Sequence, residues 1–289
     1  MQNKIEYFLF ISFSFFFKVI GLSLTRKFSI VFAYFFYYLI PIRKEIVINN
    51  LKYAFPEFDT KKIKKISFKN YKSFAITFTE LMHMSHISNS ELIKNVECIN
   101  LEIVKKKYEE GSPIILLTAH FGNWEYVATS TALLLNLPVN AVMKNQRNPY
   151  ITKWLIKTRT RFGNEAIPMG VQIRKVFEKL KEKQIVLMAA DQRGDEESIR
   201  VDLFGRSTSV FPGPATLALK TKAALICAIP VRQSNYIYKI NFEELSLENL
   251  PEDLEQKKIE ICQRYSNYLQ KIIEKNPEQW LWMHRRWKH

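Results

Sequence analysis

Residues 114–125 read IILLTAHFGNWE, a short apolar run that passes directly into a polar turn. Branched aliphatic residues without alternation are typical of a strand that is buried on both faces of a sheet. Gly122 and Asn123 supply turn chemistry, and the apolar stretch after Trp124 predicts a helix. This strand, turn and helix predict an α/β fold, in which the residues that follow a strand lie at the ligand-binding edge.

The same alternation continues through the rest of the chain. Short apolar runs separated by amphipathic stretches predict a mixed central sheet flanked by helices. The predicted strands are residues 96–99, 113–119, 139–143, 184–190, 225–231 and 236–242. The predicted helices are residues 44–55, 60–84, 124–135, 149–162, 172–183, 214–222 and 251–275.

The first 42 residues differ in composition, since they hold ten of the 21 phenylalanines. From Tyr7 to Leu24 the chain is apolar apart from Lys18, and its length approaches the roughly 20 residues that a membrane-spanning helix needs. A shallow or tilted helix would also accommodate this lysine. The run from Phe28 to Ile42 is shorter, rich in tyrosine and flanked by basic residues, which predicts an interfacial helix. We therefore predict an uncleaved anchor before residue 43.

The charge and cysteine content restrict the possible partners. A net charge of +15 favours an anionic partner, such as nucleic acid, a phospholipid surface or an acidic protein. The basic residues are dispersed and no nucleic-acid-binding motif is present, so we expect no nucleic-acid partner. Cys98, Cys227 and Cys262 lack the spacing of a metal site or a disulfide framework, which favours a reducing compartment. We predict neither a metal nor a cofactor.

His120 and Glu125 are the first candidates for catalysis. Five positions apart, they would diverge by about 140° on a continuous helix, so they can meet only if the chain turns between them. A histidine can then take a proton from a hydroxyl that attacks a carbonyl, while a carboxylate fixes its tautomer. No GxSxG motif suggests an enzyme nucleophile. By itself the spacing also fits a histidine that only bonds a backbone carbonyl.

The stretch 118–125 resembles the HxxxxE motif of the late acyltransferases of lipid A biosynthesis, the lauroyl and myristoyl transferases of the Gram-negative inner membrane. The resemblance covers nearly the whole chain in the family's order, and it continues at residues 43–57, 190–192, 204–205, 212–215 and 277–288. It implies a glycerolipid-acyltransferase-like fold in which residues 1–42 are the membrane anchor and interfacial helix and residues 43–289 the acyltransferase domain. It also implies that this domain lies on the cytoplasmic face of the inner membrane.

The resemblance further implies the substrates. The donor would be an acyl carrier protein thioester, and the acceptor a hydroxyl of a lipid A precursor of the Kdo-lipid A type. The family's histidine and acidic residue correspond to His120 as general base and Glu125 as its partner. Both the acidic carrier protein and the phosphorylated acceptor would explain the positive charge of the chain.

Five further residues are predicted to bind substrate, namely Asn123, Arg147, Arg161, Asp191 and Gly213. The arginines suit phosphate or carboxylate groups, although a solvated basic surface would also explain them. The aspartate ends an apolar strand, which favours a site role over an ion pair or a turn cap. The residues after it depart from the commoner acidic pattern of the family, which leaves its role open. The glycine lies between prolines where a helix opens.

Two other functions remain open from the sequence. An acyltransferase of the same chemistry could act on a glycerophospholipid or another glycolipid, since HxxxxE does not specify the acceptor. A basic, membrane-tethered binding protein without catalysis is the second alternative.

Overall fold

A seven-stranded mixed sheet forms the centre of the computed structural model, which describes residues 1–169 and 173–288. From one edge to the other, the strands are β1 (Val96–Ile99), β9 (Tyr238–Glu244), β8 (Ala224–Arg232), β2 (Ile114–Thr118), β5 (Ile185–Ala189), β3 (Val139–Met143) and β4 (Glu165–Pro168). Neighbouring strands are parallel except for β8 and β9. The predicted mixed sheet is therefore confirmed.

Helices cover both faces of this sheet. In chain order, the described helices are α1 (Gln2–Tyr34), α2 (Lys44–Ala54), α3 (Thr60–Met84), α4 (Asn89–Lys94), α5 (Glu102–Glu109), α6 (Glu125–Leu135), α7 (Pro149–Thr160), α8 (Ile173–Lys181), α9 (Gly213–Thr221) and α10 (Leu254–Lys275). Apolar residues of α2, α3, α8, α9 and α10 form the core on one face, and those of α5 and α6 pack on the other. A π-helix (Phe35–Leu39) follows α1, and a short 3-10 helix (Pro277–Gln279) follows α10.

The predicted strands and helices are present, with bounds that agree to within three residues. The first residue of the predicted helix 172–183 lies outside the described residues. The sequence analysis missed β4, α4, α5 and the separate hairpin of β6 (Arg200–Leu203) and β7 (Arg206–Ser209). These elements are short, and α5 is mostly charged, so none has an apolar pattern long enough to recognise.

The N-terminal helix folds back on itself at Gly21, whose φ of 73° and ψ of 166° lie outside the helical region. Ring centroids lie 5.9 Å apart for Phe13 and Phe32 and 6.3 Å apart for Phe17 and Phe28. On a straight helix the first pair would be about 28 Å apart at 1.5 Å per residue. Residues 2–20 and 22–39 are therefore two antiparallel arms, which we call the N-terminal hairpin. Its turn falls inside the run that was predicted to be one anchor helix.

A buried ion pair attaches this hairpin to the sheet domain. Arg26 Nε donates to Glu80 Oε1 of α3 at 2.6 Å, and the Glu80 side chain has no exposed surface. The second oxygen of Glu80 accepts hydrogen bonds from Asn123 Nδ2 at 3.0 Å and from the Tyr238 hydroxyl at 2.7 Å. One carboxylate thus joins the hairpin, α3, the turn after β2 and strand β9.

We expect Arg26→Met to lower the free energy of unfolding by about 3–5 kcal/mol, because it leaves the Glu80 charge buried without its cationic partner. Lys27→Met is the matched control, since Lys27 is exposed and its replacement should change stability by less than about 0.5 kcal/mol. Denaturant unfolding of both variants in detergent measures the difference. Equal stabilities would show that the ion pair does not hold the hairpin.

Candidate active site

The candidate site lies where strands β2 and β5 end side by side. These strands are parallel neighbours, and the backbone N–H of Ala190 still bonds the carbonyl of Thr118 at 3.0 Å. The next residues along each chain segment therefore meet at the carboxyl edge of the sheet, where α/β folds bind ligands. His120 Nδ1 lies 2.8 Å from Asp191 Oδ1, and the backbone N–H of His120 donates to Asp191 Oδ2 at 3.0 Å.

Asp191 is held as a buried carboxylate. Trp280 Nε1 donates to its Oδ2 at 2.9 Å, and the residue is only 5% exposed. Burial opposes its ionisation, but the charge of His120 and the hydrogen bonds from His120 and Trp280 hold the pKa of Asp191 below its usual range. Because an ionised carboxylate only accepts hydrogen bonds, Nδ1 of His120 must be the donor. The lone pair of the neutral imidazole is then on Nε2.

The Nε2 side of His120 faces a narrow opening. Gln192 Nε2 lies 3.4 Å from it, and the Trp124 ring packs edge-on with a centroid distance of 5.0 Å. The imidazole is 21% exposed, and an adjoining cavity of about 10 Å³, lined also by Phe74 and Thr77, has room for one water molecule. A hydroxyl group can reach Nε2 here, whereas a fatty acyl chain does not fit into this cavity.

The charges around His120 favour its protonated form. Burial lowers the pKa of this imidazole, but the charge and hydrogen bond of Asp191, with a smaller effect from Glu125, raise it above the usual value. Nearby, burial lowers the pKa of His284 to about 4. His284 is therefore neutral at physiological pH. Of these two histidines, His120 is the one whose surroundings stabilise the imidazolium form.

Glu125 does not form the expected hydrogen bond with His120. It begins α6, and its two oxygens accept two hydrogen bonds from Arg159 of α7, at 2.7 Å from Nε and 2.5 Å from Nη2. Burial opposes the charge of Glu125, but Arg159 holds its pKa below the usual range. Within the described residues, Asp191 is the carboxylate bonded to His120, so the direct His120–Glu125 contact was wrong. The predicted turn is present, but it directs the imidazole toward β5 rather than toward α6.

The turn between the two residues has a fixed backbone. Gly122 has a φ of 50°, and a β-carbon at this position would lie 2.3 Å from the carbonyl oxygen of Pro230. Its N–H donates to the carbonyl of Gln279 at 3.0 Å, and its carbonyl accepts from the Thr77 hydroxyl at 2.7 Å. Only glycine fits this close approach, and α3 and the C-terminal segment hold the turn from both sides.

Three of the predicted substrate-binding residues have hydrogen-bond partners within the protein and away from His120. Asn123 is buried and bonds Glu80. Arg161 donates to the carbonyls of Met84 at 2.6 Å and Ile87 at 3.0 Å, which fixes the loop between α3 and α4. Arg147 pairs with Glu6 of the N-terminal hairpin at 2.8 Å and is largely exposed. The structure does not bring these side chains into contact with His120.

Gly213 begins α9 and lines a separate cavity of about 450 Å³ between α8 and α9. Phe177, Phe211 and Leu217 give this cavity an apolar wall, and Arg174 also lines it. A β-carbon on Gly213 would lie 2.2 Å from the present position of the half-exposed Phe211 ring, so a larger residue here would require that ring to move. Of the predicted substrate-binding set, only Asp191 lies against His120.

Sequence reasoning missed Arg159 and Trp280 at this site. Arg159 lies two residues before Arg161, and positions two apart on a helix point about 200° away from each other. The choice between Arg159 in α7 and Arg161 just after it therefore depends on how the end of that helix packs, which the sequence does not show. The contact between Trp280 and Asp191 joins the C-terminal segment to a strand end 89 residues away in the sequence. No local sequence pattern predicts a contact over this separation.

Comparison with known proteins identifies the family of the chain. The model of the bacterial lipid A biosynthesis acyltransferase family matches residues 2–289. A lipid A biosynthesis acyltransferase of Haemophilus influenzae is 25% identical over 237 residues, which are 81% of this chain and 72% of that protein. The lipid A biosynthesis lauroyltransferase of Escherichia coli is 25% identical over 252 residues, which are 85% of this chain and 79% of that protein.

A phosphatidylinositol mannoside acyltransferase of Mycolicibacterium smegmatis is also similar, at 25% identity over 158 residues, 53% of this chain and 51% of that protein. This match covers about half of each protein, whereas the family model extends over almost the whole chain. Because the family model covers residues 2–289, the chain belongs to the bacterial lipid A biosynthesis acyltransferase family.

Proposed function

We propose that this chain transfers a fatty acyl group from an acyl carrier protein thioester to a hydroxyl of a Kdo-lipid A type precursor, with His120 as general base. Membership in the family gives the coarser activity, acyl transfer in lipid A biosynthesis. The observation that supports the finer proposal is the His120–Asp191 pair, which puts the lone pair of a partly exposed imidazole on Nε2, where the long 3.4 Å contact with Gln192 can give way to a substrate hydroxyl.

In the proposed step, Nε2 of His120 takes the proton of the acceptor hydroxyl. At the same time, the hydroxyl oxygen attacks the thioester carbonyl. A carbon–oxygen bond forms, the carbon–sulfur bond breaks, and the imidazolium returns its proton to the leaving thiolate. Asp191 keeps the imidazole in the reactive tautomer and stabilises its positive charge. No covalent acyl-enzyme is needed.

Glu125 acts on His120 from a distance in this proposal. Its charge raises the pKa of the imidazole, and its ion pair with Arg159 keeps it ionised although it is buried. The same pair joins the first turn of α6 to the end of α7. Glu125 is therefore a positioning residue that also contributes negative charge, and Asp191 is the direct partner.

The positive charge of the chain supports the proposed donor and, through it, the proposed side of the membrane. An acidic carrier protein is attracted by a net charge of +15. Because such a donor is a soluble cytoplasmic protein, the acyltransferase domain lies on the cytoplasmic face of the inner membrane. The likeness to a phosphatidylinositol mannoside acyltransferase favours another glycolipid as the second candidate acceptor.

Purified enzyme with acyl carrier protein thioesters should add one acyl chain to a lipid A precursor, and mass spectrometry of the product measures it. We expect His120→Ala to reduce the rate at least ~100-fold, the effect of losing a general base. His86→Ala is the control, since His86 bonds the hairpin residue Ser14 rather than a group of the site. Acylation of a mannosylated glycolipid but not of the lipid A precursor would contradict the proposal that a lipid A precursor is the acceptor.

The rate of acyl transfer at low substrate concentration should fall as the pH decreases, because protonated His120 cannot act as a base. Since the Asp191 carboxylate raises the His120 pKa, the midpoint of this fall should lie above pH 6.5 in the native enzyme. Asp191→Asn should move the midpoint to lower pH and reduce the maximal rate about 100-fold or more, because the tautomer is no longer fixed. An unchanged midpoint would exclude Asp191 as the partner of His120.

Glu125→Gln tests the other carboxylate in the same pH series. We expect a smaller shift of the midpoint to lower pH than for Asp191→Asn, together with a rate loss of roughly tenfold from the weakened bond to Arg159. Glu165→Gln is the matched control, since that glutamate pairs with Lys175 outside the site. A larger midpoint shift in Glu125→Gln than in Asp191→Asn would make Glu125 the stronger influence on His120.

A further inference from the structure

We propose that the N-terminal hairpin lies flat in one leaflet of the membrane, as a docking face of the acyltransferase domain, and does not cross the bilayer. By length and apolar composition, residues 2–39 are sufficient for a membrane span. The contacts of the hairpin decide between the two arrangements, because a spanning segment must leave the surface of the soluble domain. This inference concerns topology and does not depend on the identity of the acyl acceptor.

The first arm contacts the domain along its whole length. Near its start, Glu6 pairs with Arg147 at 2.8 Å. In its middle, Phe10 packs edge-on against Trp154 of α7, with a centroid distance of 4.7 Å. One turn later, Ser14 Oγ donates to the carbonyl of Met82 in α3 at 3.0 Å. No stretch of this arm is long enough to extend away from α3 and α7 by the ~30 Å of a hydrocarbon core.

The turn and the second arm are attached as well. Leu22, directly after the turn, is buried in the cluster that contains Met84 and Tyr238 of the sheet domain. Beyond it lies the buried Arg26–Glu80 pair. Near the end of the arm, Tyr37 packs against Tyr71 of α3 at 5.1 Å. A turn held among β9 and α3 cannot be at the far side of the bilayer.

Crossing would also bring charges into the hydrocarbon core. Helix α3 runs beside both arms and carries six lysines between residues 61 and 72. A charged residue at the centre of the bilayer is energetically unfavourable, and separating the buried Arg26–Glu80 pair would be more so. In the flat arrangement these lysines stay at the level of the lipid headgroups.

The outer surface of the hairpin is apolar. Ten of its large apolar side chains are more than half exposed, among them Phe8 (71%), Phe15 (60%), Val19 (68%) and Leu39 (72%). An exposed apolar surface on this scale is typical of an interaction site. From residue 7 to residue 44 the sequence has no acidic residue, whereas Lys18, Lys27 and Arg43 are exposed. The positive charge of these three residues favours an anionic lipid surface. The two lysine side chains are long enough to reach the lipid headgroups.

The docking face lies beside the candidate active site. Phe10 of the first arm contacts Phe78 of α3, with a centroid distance of 6.4 Å. One helical turn earlier, Phe74 lines the cavity at His120. A hydroxyl of a membrane lipid can therefore approach His120 while its acyl chains stay in the leaflet, which agrees with the small volume of that cavity.

Cysteine labelling tests the topology. In a background in which Cys98, Cys227 and Cys262 are replaced by alanine, single cysteines are placed by Gln2→Cys, Ser23→Cys and, as a marker of the domain, Glu248→Cys. A membrane-impermeant maleimide is then added to spheroplasts, to inverted membrane vesicles and to detergent-solubilised protein. We expect labelling of positions 2 and 248 in inverted vesicles, labelling of all three in detergent, and none in spheroplasts.

Labelling of position 2 or 23 in intact spheroplasts would overturn the proposal, because it places one end of an arm across the bilayer from the domain. This readout needs no enzymatic activity. An inactive protein with the expected labelling would therefore refute the proposed function and leave the topology standing.

Vesicle binding tests the apolar face itself. Phe15→Ser together with Val19→Ser should weaken sedimentation of the full-length protein with phosphatidylglycerol vesicles at least ~10-fold, since both substitutions remove apolar surface that the lipid would bury. The control carries Ile99→Ser and Leu254→Ser, which replace exposed apolar residues outside the hairpin. Equal binding of the two double variants would show that this face does not contact lipid.

Discussion

The buried carboxylate of Glu80 is the group on which the arrangement of this protein depends. Its side chain has no exposed surface, and its oxygens bind Arg26, Asn123 and Tyr238. These partners come from the N-terminal hairpin, the turn after β2 and the strand β9. A buried charge is tolerated only when it is paired and hydrogen-bonded, so all these elements must be in place together. The N-terminal hairpin and the turn that follows β2 are consequently parts of one hydrogen-bonded core.

The candidate active site has a similar dependence on distant contacts. His120 obtains its partner from the end of a neighbouring parallel strand, and that partner is fixed in turn by Trp280 near the C-terminus. The C-terminal segment also binds the turn itself, since Leu281 donates to the carbonyl of His120 at 3.0 Å. Catalytic groups that must hold a defined tautomer need this kind of support from buried neighbours. Two carboxylates near one imidazole thus have different functions, one as its direct partner and one through its charge.

The flat hairpin gives a physical explanation for the composition of the first 42 residues. Phenylalanines that pack between the two arms make the hairpin a stable unit, while those on the outer surface are free to enter a leaflet. A catalytic domain held against the membrane in this manner meets a lipid acceptor at the height of its headgroup. In the proposed reaction, its positive charge is then available to the anionic donor on the aqueous side.

Local patterns in the sequence were sufficient for the central elements of the fold. The apolar run before His120 predicted β2, and the periodicity of residues 60–84 predicted α3 at the bounds that it has, because burial imposes a recognisable spacing on strands and helices. Gly122 and Asn123 predicted the turn. Four-residue strands such as β4 and the charged α5 lack such a pattern, and they form because neighbouring elements support them.

The sequence by itself determined the α/β class, the apolar N-terminus and the position of His120 at the end of a strand. Only the tertiary structure decided which carboxylate bonds that histidine, which arginine of α7 pairs with Glu125, and that the first helix turns back at Gly21. The reason is that strand and helix formation depend on neighbours a few residues apart. Hydrogen bonds between Asp191, His120 and Trp280 depend instead on how elements far apart in the chain pack together.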